Sequence, residues 1–377
     1  MGEVHVETLV RLDREQRIDF VALGDRHPCA LSSASALVTE LGGADMAARV
    51  ERFGSADAMA VPARLDAVVV ASRTEDHARD ILSYTRHGIA VMTEKPMAGS
   101  VAEAAGLCKA LGEAGSRLVQ VAFQRHYDAA AQCAQKWFRE GLIGRLQQSH
   151  HVLQDKNPTP AGYQSSGITA DMAIHLVFEA MSFHGLELPR HVQALRFMAP
   201  HYDDRAGEGA NVVHVFCTWA DGAVAHLWGS RINNTGYDNG FTLIGTEGRI
   251  DVGEFVGDFG TISARLWRGA GHDSIPRGTS TESREFPMTR PAARHPDFYA
   301  RYATAYADEL RAFIEHVETG SPLEPGPDVG WKTLLVANVA EQSSRSGGRR
   351  IDLVLANGGP IATADAAAEC AMSIGLA

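Results

Sequence analysis

Four short runs of β-branched and apolar residues recur through the first third of the chain, most of them followed by a stretch with helical spacing. Residues 18–23 (IDFVAL) stop at Gly24-Asp25, and 65–71 (LDAVVVA) precede an amphipathic stretch over 76–86. Residues 89–93 (IAVMT) lead to a helix over 101–114, and 118–123 (LVQVAF) form the last run. Unbroken apolar strands separated by helices mark a parallel sheet covered on both faces. Such a sheet binds ligands at the C-terminal ends of its strands. Here those ends are Asp25, Ser72, Glu94-Lys95 and Gln124.

The pattern then changes. A helix over 129–140 and a turn over 141–144 are followed by strands that alternate apolar and polar positions, over 150–154, 192–198, 212–219, 223–231, 241–245 and 249–252. Turn signals at Ala220-Asp221-Gly222 and over 245–248 separate them, as in an antiparallel sheet. Helices over 299–319 and 329–344 flank a Pro-rich LEPGPD segment. The pattern predicts an α/β Rossmann-type domain over 1–123, an α+β domain over 124–355 with a large, mostly antiparallel sheet, and a partly disordered Ala/Gly-rich tail over 356–377.

Composition narrows the function classes. A net charge of −11 argues against a nucleic-acid or anionic-membrane surface. Cys29, Cys108, Cys133, Cys217 and Cys370 are scattered without metal-ligand spacing, which predicts reduced thiols and no metal site. The first residues lack the apolar core of a signal peptide, and no run approaches the roughly 20 apolar residues that span a bilayer. A cytoplasmic location is expected.

Lys95 ends a buried strand, and Pro96 stiffens the turn that follows. An ammonium there can hydrogen-bond a reacting hydroxyl and stabilise charge growing on its oxygen. Asp171 and His175 lie four apart in ITADMAIHLVFEAM, on one helix face. Imidazole is the natural base for a hydroxyl proton, and a carboxylate beside it favours the imidazolium. Taken singly, each is ordinary: a loop lysine, a hydrogen-bonded core histidine, a solvated aspartate.

Together and in this order they are more specific. From about Gly2 to Leu353 the chain resembles the glucose-fructose oxidoreductase, inositol dehydrogenase and MocA-like (Gfo/Idh/MocA) family. The segments that carry the resemblance are VVVASRTEDHARDIL, GIAVMTEKPMA, LVQVAFQRHYD, GLIGRLQ, GITADMAIHLVFEA, GYDNGFTLIGTEGRIDV and RYATAYADELRAFIEHVETG. Within the family it is most similar to myo-inositol 2-dehydrogenases. The resemblance implies an open-faced second-domain sheet through which protomers pair as dimers or tetramers. It also implies hydride transfer between NAD and a secondary hydroxyl of a cyclitol or sugar. His175 would be the acid/base, assisted by Lys95 and Asp171. Asn157 and Tyr237, and less strongly Asp155 and Arg125, match substrate-contacting positions. Ser72, His77, Glu94, Lys95 and Gln124 match positions beside the cofactor. His126 and Asp155 depart from the residues usual in inositol dehydrogenases, so a related cyclitol, aminocyclitol or monosaccharide is expected at least as strongly as inositol.

Members of this family open with a strand and a Gly-x-Gly-x-x-Gly turn that brings backbone N–H groups to the pyrophosphate. The resemblance here starts at Gly2, which matches the third glycine, so the first strand and the first two glycines lack counterparts. Asp25 matches the acidic residue on the adenosine ribose and favours NAD, while Arg26 beside it leaves NADP open. Three accounts fit the gap. One is a shortened start; a second is a replacement strand from residues 4, 6, 8 and 10 (Val, Val, Thr, Val), which alternate; the third is loss of dinucleotide binding, leaving a non-catalytic sugar-binding or regulatory protein.

Overall fold

The computed structural model describes residues 1–377 apart from 62–63, 156–166, 205–206, 208, 234–235, 254–259, 270–280, 291, 293–294, 297 and 377. The chain forms two compact units: 1–123 with 306–331, and 124–305 with 332–377.

The first unit runs α1 (Gly2–Arg14), β1 (Ala22–Gly24), α2 (Pro28–Gly42), α3 (Ala44–Arg49), β2 (Glu51–Phe53), α4 (Ala56–Ala60), β3 (Ala67–Val70), α5 (Thr74–Thr85), β4 (Ala90–Thr93), α6 (Val101–Ser116) and β5 (Val119–Val121). All strand pairs are parallel, but they make two sheets, β1-β2 and β3-β4-β5. A doubly wound sheet of order 3-2-1-4-5-6 that lacks its strand 1 divides in this way. β4 is buried along its whole length, whereas Ala67, Val68 and Val69 of β3 are only half-buried.

The replacement-strand account is corrected here, because residues 2–14 are helical. The apparent period of two conceals two adjacent helical stripes. Val6 and Val10 pack with Phe20, Leu37 and Val38, while Leu12 packs with Ala90, Met92, Ala122, Leu310 and Phe313. A helix buried on so broad an arc places apolar residues at even intervals without being a strand.

The second unit runs α7 (Ala129–Arg139), β6 (Leu146–Gln154), α8 (Ile174–Ser182), β7 (His191–Phe197), β8 (Val212–Thr218), β9 (Val224–Ser230), β10 (Asp238–Gly245), β11 (Gly248–Val252), β12 (Thr261–Arg268) and β13 (Glu282–Pro287). After these come α9 (Tyr299–Thr319), α10 (Pro327–Arg345), β14 (Ile351–Asp352) and α11 (Ala364–Ser373); residues 306–331, from α9 into α10, belong to the first unit. The tail therefore contains a helix, capped by the Thr363 hydroxyl on the N–H of Ala366.

The strands make one nine-stranded sheet, β13-β12-β11-β10-β6-β9-β8-β7-β14, antiparallel except for the β6–β9 pair. One face meets α7, whose Ala130, Ala131, Ala134 and Trp137 pack on Phe241, Leu243, Ile250, Val252, Ala264 and Leu266. The register puts Leu195, His214, Phe216, His226, Trp228 and His150 on the other face. Leu195 and Phe216 are 40% and 38% exposed there.

Candidate active site

In the first unit the strand ends gather the residues named from sequence. Asp25 follows β1; its N–H donates to the Phe53 carbonyl at 3.1 Å, and its Oδ1 accepts from the His27 N–H at 2.7 Å. Arg26 pairs with the buried Asp76 carboxylate at 2.8 Å. The Ser72 hydroxyl donates to Asp80 at 2.7 Å. His77 is 1% exposed, with Nδ1 2.7 Å from the Pro96 carbonyl and Nε2 3.1 Å from the Ser72 carbonyl. That ring ties the Glu-Lys-Pro loop to the loop after β3, so Lys95 sits on a braced turn.

Glu94 is buried and accepts from His5 Nε2 at 2.8 Å. Burial pushes its carboxyl up, but the His5 hydrogen bond and the charges of His5 and Lys95 outweigh burial and hold it below the ordinary carboxylate range. Glu309 of α9 is fully buried and accepts from the Phe123 N–H at 2.7 Å through Oε1, and Oε2 has no partner among the described residues. Burial and the nearby Glu94 charge raise it well above the ordinary range.

In the second unit three strand ends meet. β6 and β9 run parallel with Gln154 opposite Ser230, so Asp155 and Arg231 emerge side by side. β10 enters antiparallel with Asp238 opposite Gln154, which brings Tyr237 to the same end. The Asp155 N–H donates to the Ser230 carbonyl at 2.8 Å. The Tyr237 hydroxyl accepts from Asn239 Nδ2 at 3.0 Å. Burial first, then Tyr302 and Asp155, push that phenol far above its usual range against the opposing Arg125 charge.

Asp171 lies in a π turn, Thr169–Ala173, that runs directly into α8, and His175 is the second residue of α8. A single π turn widens the helix by about one residue, so positions four apart still share a face. Gly167 opens the turn at φ +105°, where a Cβ would lie 2.8 Å from the Glu341 carboxylate; this position needs glycine. Its carbonyl accepts from the Asp171 N–H at 2.9 Å. Arg231 Nη2 donates to Asp171 Oδ2 at 2.9 Å.

Gln124 and Arg125 form a 3-10 turn, Gln124–Tyr127. Arg125 is buried and pairs with Glu179 at 2.9 Å, and Glu179 also accepts from His151 Nδ1 at 2.9 Å. Burial opposes both charges, yet the pairing keeps Glu179 below and Arg125 above their ordinary values. His126 beside it is neutral: burial and the Arg139 charge lower it to about 4, and its ring meets Phe178 edge-on at 5.8 Å.

Asn157 lies outside the described residues. Sequence reasoning did not find Arg231, Glu179, His151, His5 or Glu309. Arg231 meets Asp171 across 60 residues of sequence, and the others are single buried polar residues that no motif announces. Among the described residues no group of three or more His, Cys, Asp or Glu could hold a metal ion, and no helix is long and apolar enough to cross a membrane.

Two family models match. The oxidoreductase family with an NAD-binding Rossmann fold (GFO/IDH/MocA) matches residues 1–123, and the GFO/IDH/MocA C-terminal domain matches 131–251. Together they take in well over half of the chain. The chain belongs to the Gfo/Idh/MocA oxidoreductase family. It is 28% identical to an inositol 2-dehydrogenase of Rhizobium meliloti over 76% of this chain and 81% of that one. It is 26% identical to the scyllo-inositol 2-dehydrogenase (NAD(+)) of Bacillus subtilis over 68% of each. Its fold matches a myo-inositol dehydrogenase from Corynebacterium glutamicum, with TM-score 0.75 and 22% identity over 94% and 96% of the two chains. A scyllo-inositol dehydrogenase from Lactobacillus casei with bound NAD(H) and scyllo-inositol gives TM-score 0.69 and 22% identity over 88% and 90%.

As a member of this family the chain is an oxidoreductase with an NAD-binding domain. The residues present fit that cofactor: a carboxylate at the end of β1 suits an adenosine ribose, and the N-terminal turn of α1 carries the backbone N–H groups that suit a pyrophosphate.

Proposed function

We propose that the protein is an NAD-dependent dehydrogenase of a cyclitol or closely related polyol or sugar. The kinship with inositol 2-dehydrogenases supports this reading, and the observation that carries it is the π turn that sets Asp171 and His175 on one face, beside Asp155, Arg231 and Tyr237. In this proposal Asp25 and the first turn of α1 hold the cofactor, which when bound would supply the hydride acceptor. His175 takes the proton from the reacting hydroxyl, Asp171 steadies the imidazolium, and Lys95 hydrogen-bonds the same oxygen. Asp155, Tyr237 and Asn157 are proposed to contact the remaining hydroxyls, and Gln124 to lie beside the cofactor.

The proposal extends to assembly. The exposed Leu195, Phe197 and Phe216 on one sheet face support pairing of two copies there, which sedimentation would read.

The test is NADH formation by the purified chain on a panel of inositols, aminocyclitols and monosaccharides. Lys95→Ala and His175→Ala are each expected to lower kcat by about 10²–10⁴-fold with little change in melting temperature. No turnover on the whole panel, with polyol-dependent thermal stabilisation retained, would instead support a binding protein.

A further inference from the structure

Arg231 stands immediately after β9, and its backbone is held from both sides. Its own N–H donates to the Asn211 carbonyl at 2.9 Å, and the preceding Ser230 carbonyl accepts from the Asp155 N–H at 2.8 Å. The side chain is 9% exposed, and its Nη2 donates to Asp171 Oδ2 at 2.9 Å. A guanidinium does not lose its proton in any range where a protein is folded, so this partner is always a cation.

We propose that Arg231 is a positioning residue for the dehydrogenase reaction: it aims the Asp171 carboxylate and draws part of its charge away from His175, setting the pH above which His175 can accept a proton. This rests on the roles given above to Asp171 and His175. A carboxylate one turn from an imidazole stabilises the imidazolium, and unopposed it would leave His175 protonated and idle as a base at neutral pH. A cation hydrogen-bonded to that carboxylate offsets the effect while keeping the carboxylate ionised and in one rotamer.

The other titratable groups near this helix do not compete for the part. On α8 itself Glu179 is engaged by Arg125, from the 3-10 turn, and by His151, from β6. His126, from the same 3-10 turn, is neutral at pH 7. The helix-side residues of β9 are Ala225, Leu227 and Gly229, which carry no charge. Asp155, at the end of β6, adds a further negative charge beside Arg231, and Glu341 lies against Gly167 at the entrance to the π turn.

The test compares wild type with Arg231→Met, Arg231→Lys and Asp171→Asn as full chains, with NAD saturating and kcat/KM followed from pH 5.5 to 9.5. The acid limb of Arg231→Met is expected to move up by about one pH unit. Its rate deficit is then largest at low pH and shrinks as pH rises. Arg231→Lys retains the charge and keeps the wild-type limb, with a lower kcat from the lost fork geometry. The Arg231→Met/Asp171→Asn double variant shows no limb shift beyond that of Asp171→Asn alone, because Arg231 acts through Asp171. A deficit that is the same at every pH, or an additive double variant, overturns the proposal in favour of a purely structural role.

A second readout needs no turnover. The histidine C–H resonance that disappears in His175→Gln is titrated by NMR, and its midpoint should rise in Arg231→Met and stay in Arg231→Lys. An unmoved midpoint overturns the proposal even in an active enzyme. A moved midpoint in a chain that turns over no polyol would uphold the coupling while the dehydrogenase reading failed. If Arg231→Met does not fold, Arg231→Lys decides: a retained limb supports the proposal and a shifted one overturns it.

Discussion

Replacing Glu179 by Gln isolates the charge that organises the second unit beneath its strand ends. The carboxylate is shared by the Arg125 guanidinium at 2.9 and 3.1 Å and by His151 Nδ1 at 2.9 Å, with side-chain exposures of 9%, 2% and 0% for Glu179, Arg125 and His151. Two further guanidinium nitrogens of Arg125, Nε and Nη1, have no partner among the described residues, so Glu179 is its principal counter-charge. An amide keeps the shape of the carboxylate but loses the charge, and it turns N–H groups toward a cation. Breaking one side of a buried pair costs about 3–5 kcal/mol, because the charge left behind is uncompensated. For a unit of this size that is a fall in Tm on the order of 10 °C. Calorimetry and urea titration of Glu179→Gln, Arg125→Met and the double variant measure it. The double variant removes both charges and should be more stable than either single variant, which is non-additivity of a coupled pair. The reasoning is falsified if Glu179→Gln lies within about 0.5 kcal/mol of wild type, or if the double variant equals the sum of the singles.

Two further outcomes follow from buried titratable groups. Glu309 is raised by burial and by Glu94, so the folded state holds a proton that the unfolded state releases above its ordinary carboxylate range; stability is full below that range and falls as pH rises. Glu309→Gln should therefore be more stable than wild type at pH 8 and lose the advantage toward pH 4.5, as read by urea midpoints across that range. His226 is lowered to about 4 by burial and by its neighbours His150 and His214, so its stability contribution is lost as pH falls from about 6.5 toward 4. Allowing for solvent screening the loss is about 1 kcal/mol by pH 5, and His226→Phe, which keeps the stack on Phe216 at 4.7 Å, should flatten that part of the profile.

Features governed by local pattern could be read from the chain. The buried strand β4 and the alternation in β8 and β9 follow from which residues face a core, and α7 and α9 follow from helical spacing. Local pattern failed where two environments shared one segment. In α1 a helix buried on two sides imitated a strand. The short β2, Glu51–Phe53, is exposed or half-exposed throughout and carries no apolar run to announce it. At the candidate site Lys95, Asp171 and His175 were legible because their order along the chain is distinctive. The partner of Asp171 was not, because Arg231 is 60 residues away and reaches it only once the π turn has packed against β9. The π turn was equally hidden, since ITADMAIHL has the spacing of an ordinary helix.

Cofactor choice shows how partners, rather than residue types, decide a site. From sequence Arg26 left NADP open, because a guanidinium beside the ribose-binding acid can receive a 2′-phosphate. In the folded unit that guanidinium is paired with Asp76 at 2.8 Å, and the Asp76 carboxylate is also approached by Arg79 at 2.9 Å. A phosphate arriving there would have to displace a buried carboxylate from its cation while standing beside the acidic side chain of Asp25. Both terms oppose a dianion, and neither touches a ribose hydroxyl, which needs only an acceptor. Asp25 is suited to supply one, since capping the His27 N–H fixes its side chain at the end of β1. The same arrangement that ties Arg26 down therefore favours NAD, in keeping with the NAD-binding family to which the domain belongs.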